Sequence, residues 1–184
     1  GRLACHRRVS RRFGGCFLRL FGGGFRDLLF WGCLCLGAGR FGVAHRLLER
    51  AAADTANSGV PRQRVRLAWV GAELAMVSGH GEESVAHAEG AVELVGDLDS
   101  PRHAVKTDVV YAAALCSASR FDDSRRVADA ALARTHQFGL VPLTWALSCL
   151  LSDIGSAEHS PDEMVQMRDN AAATVRNRGG RWAG

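Results

Sequence analysis

The chain has 184 residues, 47% hydrophobic and 23% charged, with four prolines and no uninterrupted apolar run of eighteen residues. That is enough for one domain, or one domain with a tail; it argues against a spanning helix and against disorder throughout, and aromatics at only 7% beside abundant alanine argue against an all-β fold. The net charge of +4 hides a split: residues 1 to 40 carry eight arginines and one acid, whereas residues 41 to 184 carry fifteen basic and eighteen acidic groups. The basicity is therefore local, and a nucleic-acid partner is expected only through the N-terminal arm.

Residues 1 to 24 mix glycine, arginine and isolated bulky side chains without a helical or alternating period, and Gly22, Gly23 and Gly24 oppose any helix there. They are expected to be a poorly ordered basic arm. Arg7-Arg8-Val9-Ser10-Arg11-Arg12 and the four-residue recurrence of Phe13, Phe17, Phe21 and Phe25 offer weak motifs for phosphate, nucleic-acid or membrane-surface contact. The apolar run Leu28 to Leu36, preceded by arginines and followed by Gly37, Ala38 and Gly39, also has the outline of a secretion signal. Asp27 abuts that run, however, and the run fits the repeat register that follows.

From residue 25 to about 180 the chain repeats at a spacing of 40. Small or apolar residues recur at Gly32, Ala72, Ala112 and Ser152, at Ala44, Ser84, Ser124 and Met164, and as alanine at Ala51, Ala91, Ala131 and Ala171. Gly59, Asp99, Gly139 and Gly179 mark the break before each next unit, where helix ends favour residues tolerant of the left-handed conformation. Each unit divides into two helices. Pro61 and Pro101 open first helices whose apolar stripes run Val65, Trp69, Ala72, Met76 and Val105, Val109, Ala112, Cys116. Second helices are predicted over about 82–95 and 122–136, with Glu82, Glu83, Asp122 and Asp123 in their first turns; Ser160 and Pro161 followed by Asp162 and Glu163 repeat the start in the fourth unit. Residues 181 to 184 form a short tail.

This pattern resembles the tetratricopeptide-like helical repeats, on the small residues in the first helix, those early in the second, and the alanine seven positions later. The chain departs from that family in its period of 40 rather than 34 and in having Ala56, Gly96, His136 and Arg176 where a proline usually closes the second helix. The longer repeat looks like those in the sensory segments of large bacterial regulators of the LuxR type; the arginine-over-lysine bias, 22 of 23 basic residues, fits a GC-rich bacterial genome. The resemblance implies a right-handed α-solenoid of about four antiparallel hairpins whose first helices line a concave groove for a peptide or partner helix. Counting six residues back from each small position gives Arg26, Arg66 and Lys106, then Ala146, a candidate cation track, with acidic counter-contacts one residue after the small position at Glu73 and Asp153, where the other units have Cys33 and Ala113. A carboxylate or acidic peptide would suit such a track. Phe30, Val70, Val110 and Leu150 stand where the carboxylate-clamp subtype wants polar groups. The competing reading makes Arg66 and Lys106 solvated helix residues paired with nearby acids.

The remaining chemistry-bearing residues favour a structural role. Cys116 and Cys149 lie within apolar helical runs, Cys33 and Cys35 are too close in sequence for a zinc pair, and the seven histidines are spread over the units without a nucleophile, phosphate-loop or zinc-protease motif. His136 is expected to complement a helix C-terminus, and Trp31, Trp69 and Trp145 to fill gaps between hairpins, with Trp182 beyond the last helix. Cys149, Leu150 and Leu151 suggest apolar surface left on the last unit, and hence self-association. The sequence thus reads as an all-α, cytoplasmic, non-catalytic protein-interaction module without metal or cofactor, of the kind that forms one piece of a larger regulator. The alternatives are a nucleic-acid-associated regulator acting through its arm and a helical enzyme with histidine and carboxylate groups gathered from separate units.

Overall fold

A computed structural model describes residues 40–58 and 60–180, and every regular element among them is helical. The helices are α1 (Phe41–Ser58), α2 (Pro61–Val77), α3 (Gly81–Val95), α4 (Pro101–Ser117), α5 (Phe121–Gln137), α6 (Val141–Ile154) and α7 (Pro161–Asn177). They begin at 41, 61, 81, 101, 121, 141 and 161, so the forty-residue sequence period is two helices with a start every twenty residues. The expected second helices are one residue longer at their starts, and α5 also at its end. The arm 1–24, the expected first helix of the first unit with Arg26, Phe30, Trp31, Gly32 and Cys33, and the tail with Trp182 lie outside the described residues.

The helix ends explain the rhythm. After α2, α4, α5 and α7 the chain turns through residues 79, 119, 139 and 179 at φ of +83°, +64°, +62° and +84°. The next N–H, on His80, Arg120, Leu140 or Gly180, then bonds the carbonyl five positions earlier at 2.9 Å, on Ala75, Leu115, Thr135 and Val175 respectively. This closure satisfies carbonyls that a helix end otherwise leaves bare. Glycine suits the left-handed position, but Ser119 occupies it once, among the described residues the only non-glycine with positive φ. Ser119→Gly is therefore expected to raise stability by up to about 1 kcal/mol, read as a higher urea midpoint at unchanged slope. The expected break at Asp99 is different: α3 already ends at Val95, and residues 96 to 100 lead without a left-handed residue into Pro101.

Consecutive helices pack against one another, and α4 additionally touches both α2 and α6. The repeated small residues lie in these contacts. Ala44, Ala72, Ser84, Ala88, Ala91, Ala112, Ser124, Ala128 and Ala131 are essentially inaccessible, and the Ser124 hydroxyl donates to the Ala112 carbonyl at 2.7 Å, joining the small position of α5 to that of α4. At Gly81 a side-chain carbon would lie 2.8 Å from the Ala118 Cα and the Ser117 carbonyl oxygen, so the start of α3 admits only glycine at its approach to the end of α4.

The fourth unit departs from this register. Ser152 is exposed rather than packed, because it lies in the last turn of α6, and a six-residue segment replaces the tight turn before α7. Arg125 of α5 holds that segment by donating to the Ile154 and Gly155 carbonyls at 2.9 and 3.1 Å, while Asp129 accepts from the Ser156 hydroxyl at 2.6 Å and the Ala157 N–H at 2.9 Å. The helix start read at Ser160 is a full capping box with Glu163. Met164, the one large residue at its repeat position, is buried too. Cys149, Leu150 and Leu151 are buried as well, so these three offer no apolar surface on the last unit for a neighbouring copy. α7 packs against α6.

Candidate functional site

One cluster of chemistry-bearing residues lies where α2 meets α4. Trp69, at 9% exposure, sits on the buried stripe of α2 and donates its indole N–H to the Thr107 hydroxyl of α4 at 2.9 Å. The gap-filling role expected for this tryptophan is thus joined to a polar one: the ring is core, and its N–H ties two first helices together. Trp145 of α6 is half-buried against the same core.

Lys106 lies one turn of α4 before Val110 and is 4% exposed; its ammonium donates to Glu73 Oε1 of α2 at 3.1 Å and lies 5.4 Å from the Trp69 ring centroid. Glu73 is 8% exposed. Each ion would cost several kcal/mol to bury alone, and their attraction at this distance, with the aromatic face, offsets that cost. The structure thus brings together two of the residues expected to face a ligand and turns them toward each other. Lys106 does not stand on an open track; the pairing with a nearby acid that the competing reading expected is present, but buried rather than solvated. Arg66, its counterpart forty residues earlier, is half-exposed on α2. Asp153 is exposed near the end of α6 and acts electrostatically on Arg168 of α7, well away in sequence from the α2–α4 pair. Arg26 lies outside the described residues. Val70, Val110 and Leu150, where the resemblance would want polar groups, are buried.

Sequence spacing passed over the next feature. His103, in the first turn of α4, stacks on Trp69 with centroids 5.6 Å apart and planes 25° apart, and its Nδ1 lies 2.8 Å from the Ser100 hydroxyl. Ser100 is the residue before α4, yet its side chain engages His103 rather than a first-turn amide. Partial burial lowers the His103 pKa, and Arg62, Arg102 and Arg66 lower it further, in that order. A signal existed: Pro61-Arg62-Gln63-Arg64-Val65-Arg66 and Pro101-Arg102-His103-Ala104-Val105-Lys106 share proline, arginine, valine and a cation at one period. Because folding lowers this pKa, the unfolded chain binds the proton more readily. The stability His103 contributes is present above its unfolded pKa and is lost as pH falls through its folded one. His103→Gln is expected to flatten the acid side of a stability-versus-pH curve, measured by urea unfolding between about pH 5 and 8.

Four of the other described histidines lie at the surface. His45 pairs with Glu49 at 3.4 Å, and His80 and His87 face Glu83 at 3.3 and 3.9 Å, all on exposed helix faces; His136 is in the last turn of α5, the place a dipole-complementing residue takes. Among the described residues no three His, Cys, Asp or Glu side chains converge as a metal ligand set. Cys116 and Cys149 are buried. An open cleft of about 500 Å³ lies between α1, α2 and the end of α3, lined by Thr55, Arg64, Leu67, Leu94 and Asp97 among others. No described helix is long and apolar enough to cross a membrane. Comparisons with protein-family models, with curated proteins and with solved structures found no match to this chain.

Proposed function

We propose that the chain is a right-handed α-solenoid of about four helix hairpins, similar to tetratricopeptide-like repeats, that acts as a non-catalytic protein-interaction module in the cytoplasm. The observation that carries this reading is the contact of α4 with both α2 and α6, beside the packing of every helix on its successor. First helices that touch one another form a continuous layer, and a layer built from repeats presents an extended surface rather than a closed pocket. The polar groups gathered on it, His103 with its arginines and the Lys106–Glu73 pair, are arranged as ion pairs and stacking contacts. The Ser100 hydroxyl on His103 Nδ1 is read in the same way, as a contact that fixes the ring at the start of α4. A role as part of a bacterial regulator fits the same surface, with the partner as input. The nucleic-acid alternative depends on residues 1 to 24, and the described body, with fifteen basic and eighteen acidic groups, does not favour it.

Site-specific photo-crosslinking in source cells tests this reading. A photoreactive residue at position 62, 102 or 145, on the first helices, is expected to capture one discrete protein. The same residue at Glu93, Ala133 or Asn170, exposed on the second helices, is expected to capture little. Capture from the second helices alone would overturn the assignment of the binding face, and capture of nucleic acid by the first helices would replace the partner class.

A further inference from the structure

Cationic side chains recur at 62 and 66 on α2 and at 102 and 106 on α4, one helical turn apart within each helix and one period apart between them, while Arg64 of α2 lines the cleft beside α1. Lys106 is neutralised by Glu73. Arg62 and Arg102 are exposed, Arg66 is half-exposed, and all three act electrostatically on the half-buried His103 between them. These three arginines, two from α2 and one from α4, are the charged groups that lower its pKa beside burial. Both helices begin with proline and without a side-chain cap, so the positive ends of their dipoles add to the same potential. On α6 the corresponding positions are Pro142 and Ala146, and the charge stops there.

We propose that this face, Arg62, Arg66, Arg102 and His103 at the first turns of α2 and α4, docks a short acidic segment of a partner protein. The proposal rests on the interaction-module reading and names the chemistry of the partner.

Charge complementarity selects carboxylates, and the surroundings select a short protein segment over a nucleic acid. The adjoining helix α3 carries Glu82, Glu83, Glu89 and Glu93 and no lysine or arginine, and the body as a whole is net acidic. A long polyanion would meet repulsion beyond the patch, whereas a segment of a few residues would not. Packed helices lie about 8 to 10 Å apart, and an extended chain rises about 3.3 Å per residue. Carboxylates two or three positions apart therefore reach the arginines of both helices, where the planar guanidinium grips a carboxylate through two N–H donors. His103 completes the device by linkage. Protonated, it adds a fourth cation to the face, so binding strengthens as pH falls, and a bound carboxylate in turn favours the imidazolium.

The test reads His103 locally, since the basic arm of the full chain also attracts acidic peptides. Full-length protein with isotope-labelled histidine is titrated with pH, observed by NMR, with and without a synthetic peptide carrying alternate glutamates. The expected result is a rise of the His103 midpoint on adding the glutamate peptide, with no change for its glutamine counterpart. In Arg62→Ala/Arg102→Ala the midpoint starts higher, because two of the lowering charges are gone, and the peptide moves it less. Affinity read from the His103 shifts is expected to fall about tenfold in that variant. A wild-type midpoint that saturating peptide leaves unmoved would overturn the proposal, as would equal affinity in the double variant. A midpoint raised by inorganic phosphate or a short oligonucleotide, but not by the peptide, would make the face a phosphate site instead. In each of these cases partner capture by crosslinks at 62, 102 or 145 still decides the broader reading on its own.

Discussion

Lys106→Met is expected to destabilise the fold by about 3 to 5 kcal/mol, because it leaves the Glu73 carboxylate buried without its counter-ion. The wild-type pair is a net of opposing terms. Both side chains are withdrawn from water, to 6% and 11% exposure, and both are compensated by a 3.1 Å contact and by the Trp69 face. Removing one partner keeps the desolvation cost of the other and forfeits the compensation. Removing both behaves differently. Lys106→Met with Glu73→Leu replaces two desolvated ions by apolar groups of similar volume, and the double variant is expected to recover most of the loss or to exceed the wild type. Urea unfolding of the four proteins at neutral pH gives the cycle. A single-variant loss below about 1 kcal/mol would show that the pair is solvated and that α2 and α4 do not enclose it.

The same pair shows where the sequence was and was not readable. Period, helix starts and close-contact positions follow from spacing alone, because an Ala or Ser that returns every forty residues answers one local constraint, the distance between neighbouring helices. The positions Ala91 and Ala131 are buried for that reason. Ser152 broke the rule since a repeat register says nothing about how a helix ends, and α6 ends early on a segment held by Arg125 and Asp129. Lys106 and Glu73 were both singled out by spacing, but whether two charges face a groove or each other depends on their side-chain directions across a contact between α2 and α4, 33 residues apart. His103 stayed hidden for the opposite reason. It has no equivalent at 63 or 143, where Gln63 and Leu143 stand, and repeat reasoning discards what does not recur.

The difference between the two inner contacts bears on what the module can bind. At the register of Glu73 and Lys106, the α4–α6 contact has Ala113 and Ala146, both buried. One inner contact is thus closed by an ion pair under an aromatic ring and the next by two small side chains. A polar lock carries directional information that alanine does not, so it fixes how α4 is turned about its own axis relative to α2. That rotation sets where Arg62, Arg66, Arg102 and His103 stand with respect to one another. In this account the buried pair does not contact a partner, and it acts by holding in register the groups that would.

Close helix approach is the condition on which this whole arrangement rests, and Ala131→Leu tests it most directly. Ala131 of α5 is 1% exposed and Ala91 of α3 is fully buried, at the same place in consecutive units; Ala51 and Ala171 complete the row at 3% and 6%. A leucine adds three carbons where a neighbouring helix leaves no room, so either side chains leave their preferred rotamers or the helices move apart. Each substitution is expected to cost about 1 to 3 kcal/mol. For a chain of this size that corresponds to a fall in melting temperature of very roughly 2 to 12 °C. Leucine and alanine differ little in helix propensity, and the exposed Ala86 and Ala133 on the same two helices provide the control: leucine there is expected to change stability by less than about 0.5 kcal/mol. Calorimetry of Ala91→Leu, Ala131→Leu, Ala86→Leu and Ala133→Leu separates packing from propensity. If the buried pair and the exposed pair melt alike, the forty-residue recurrence of alanine has some cause other than helices in contact.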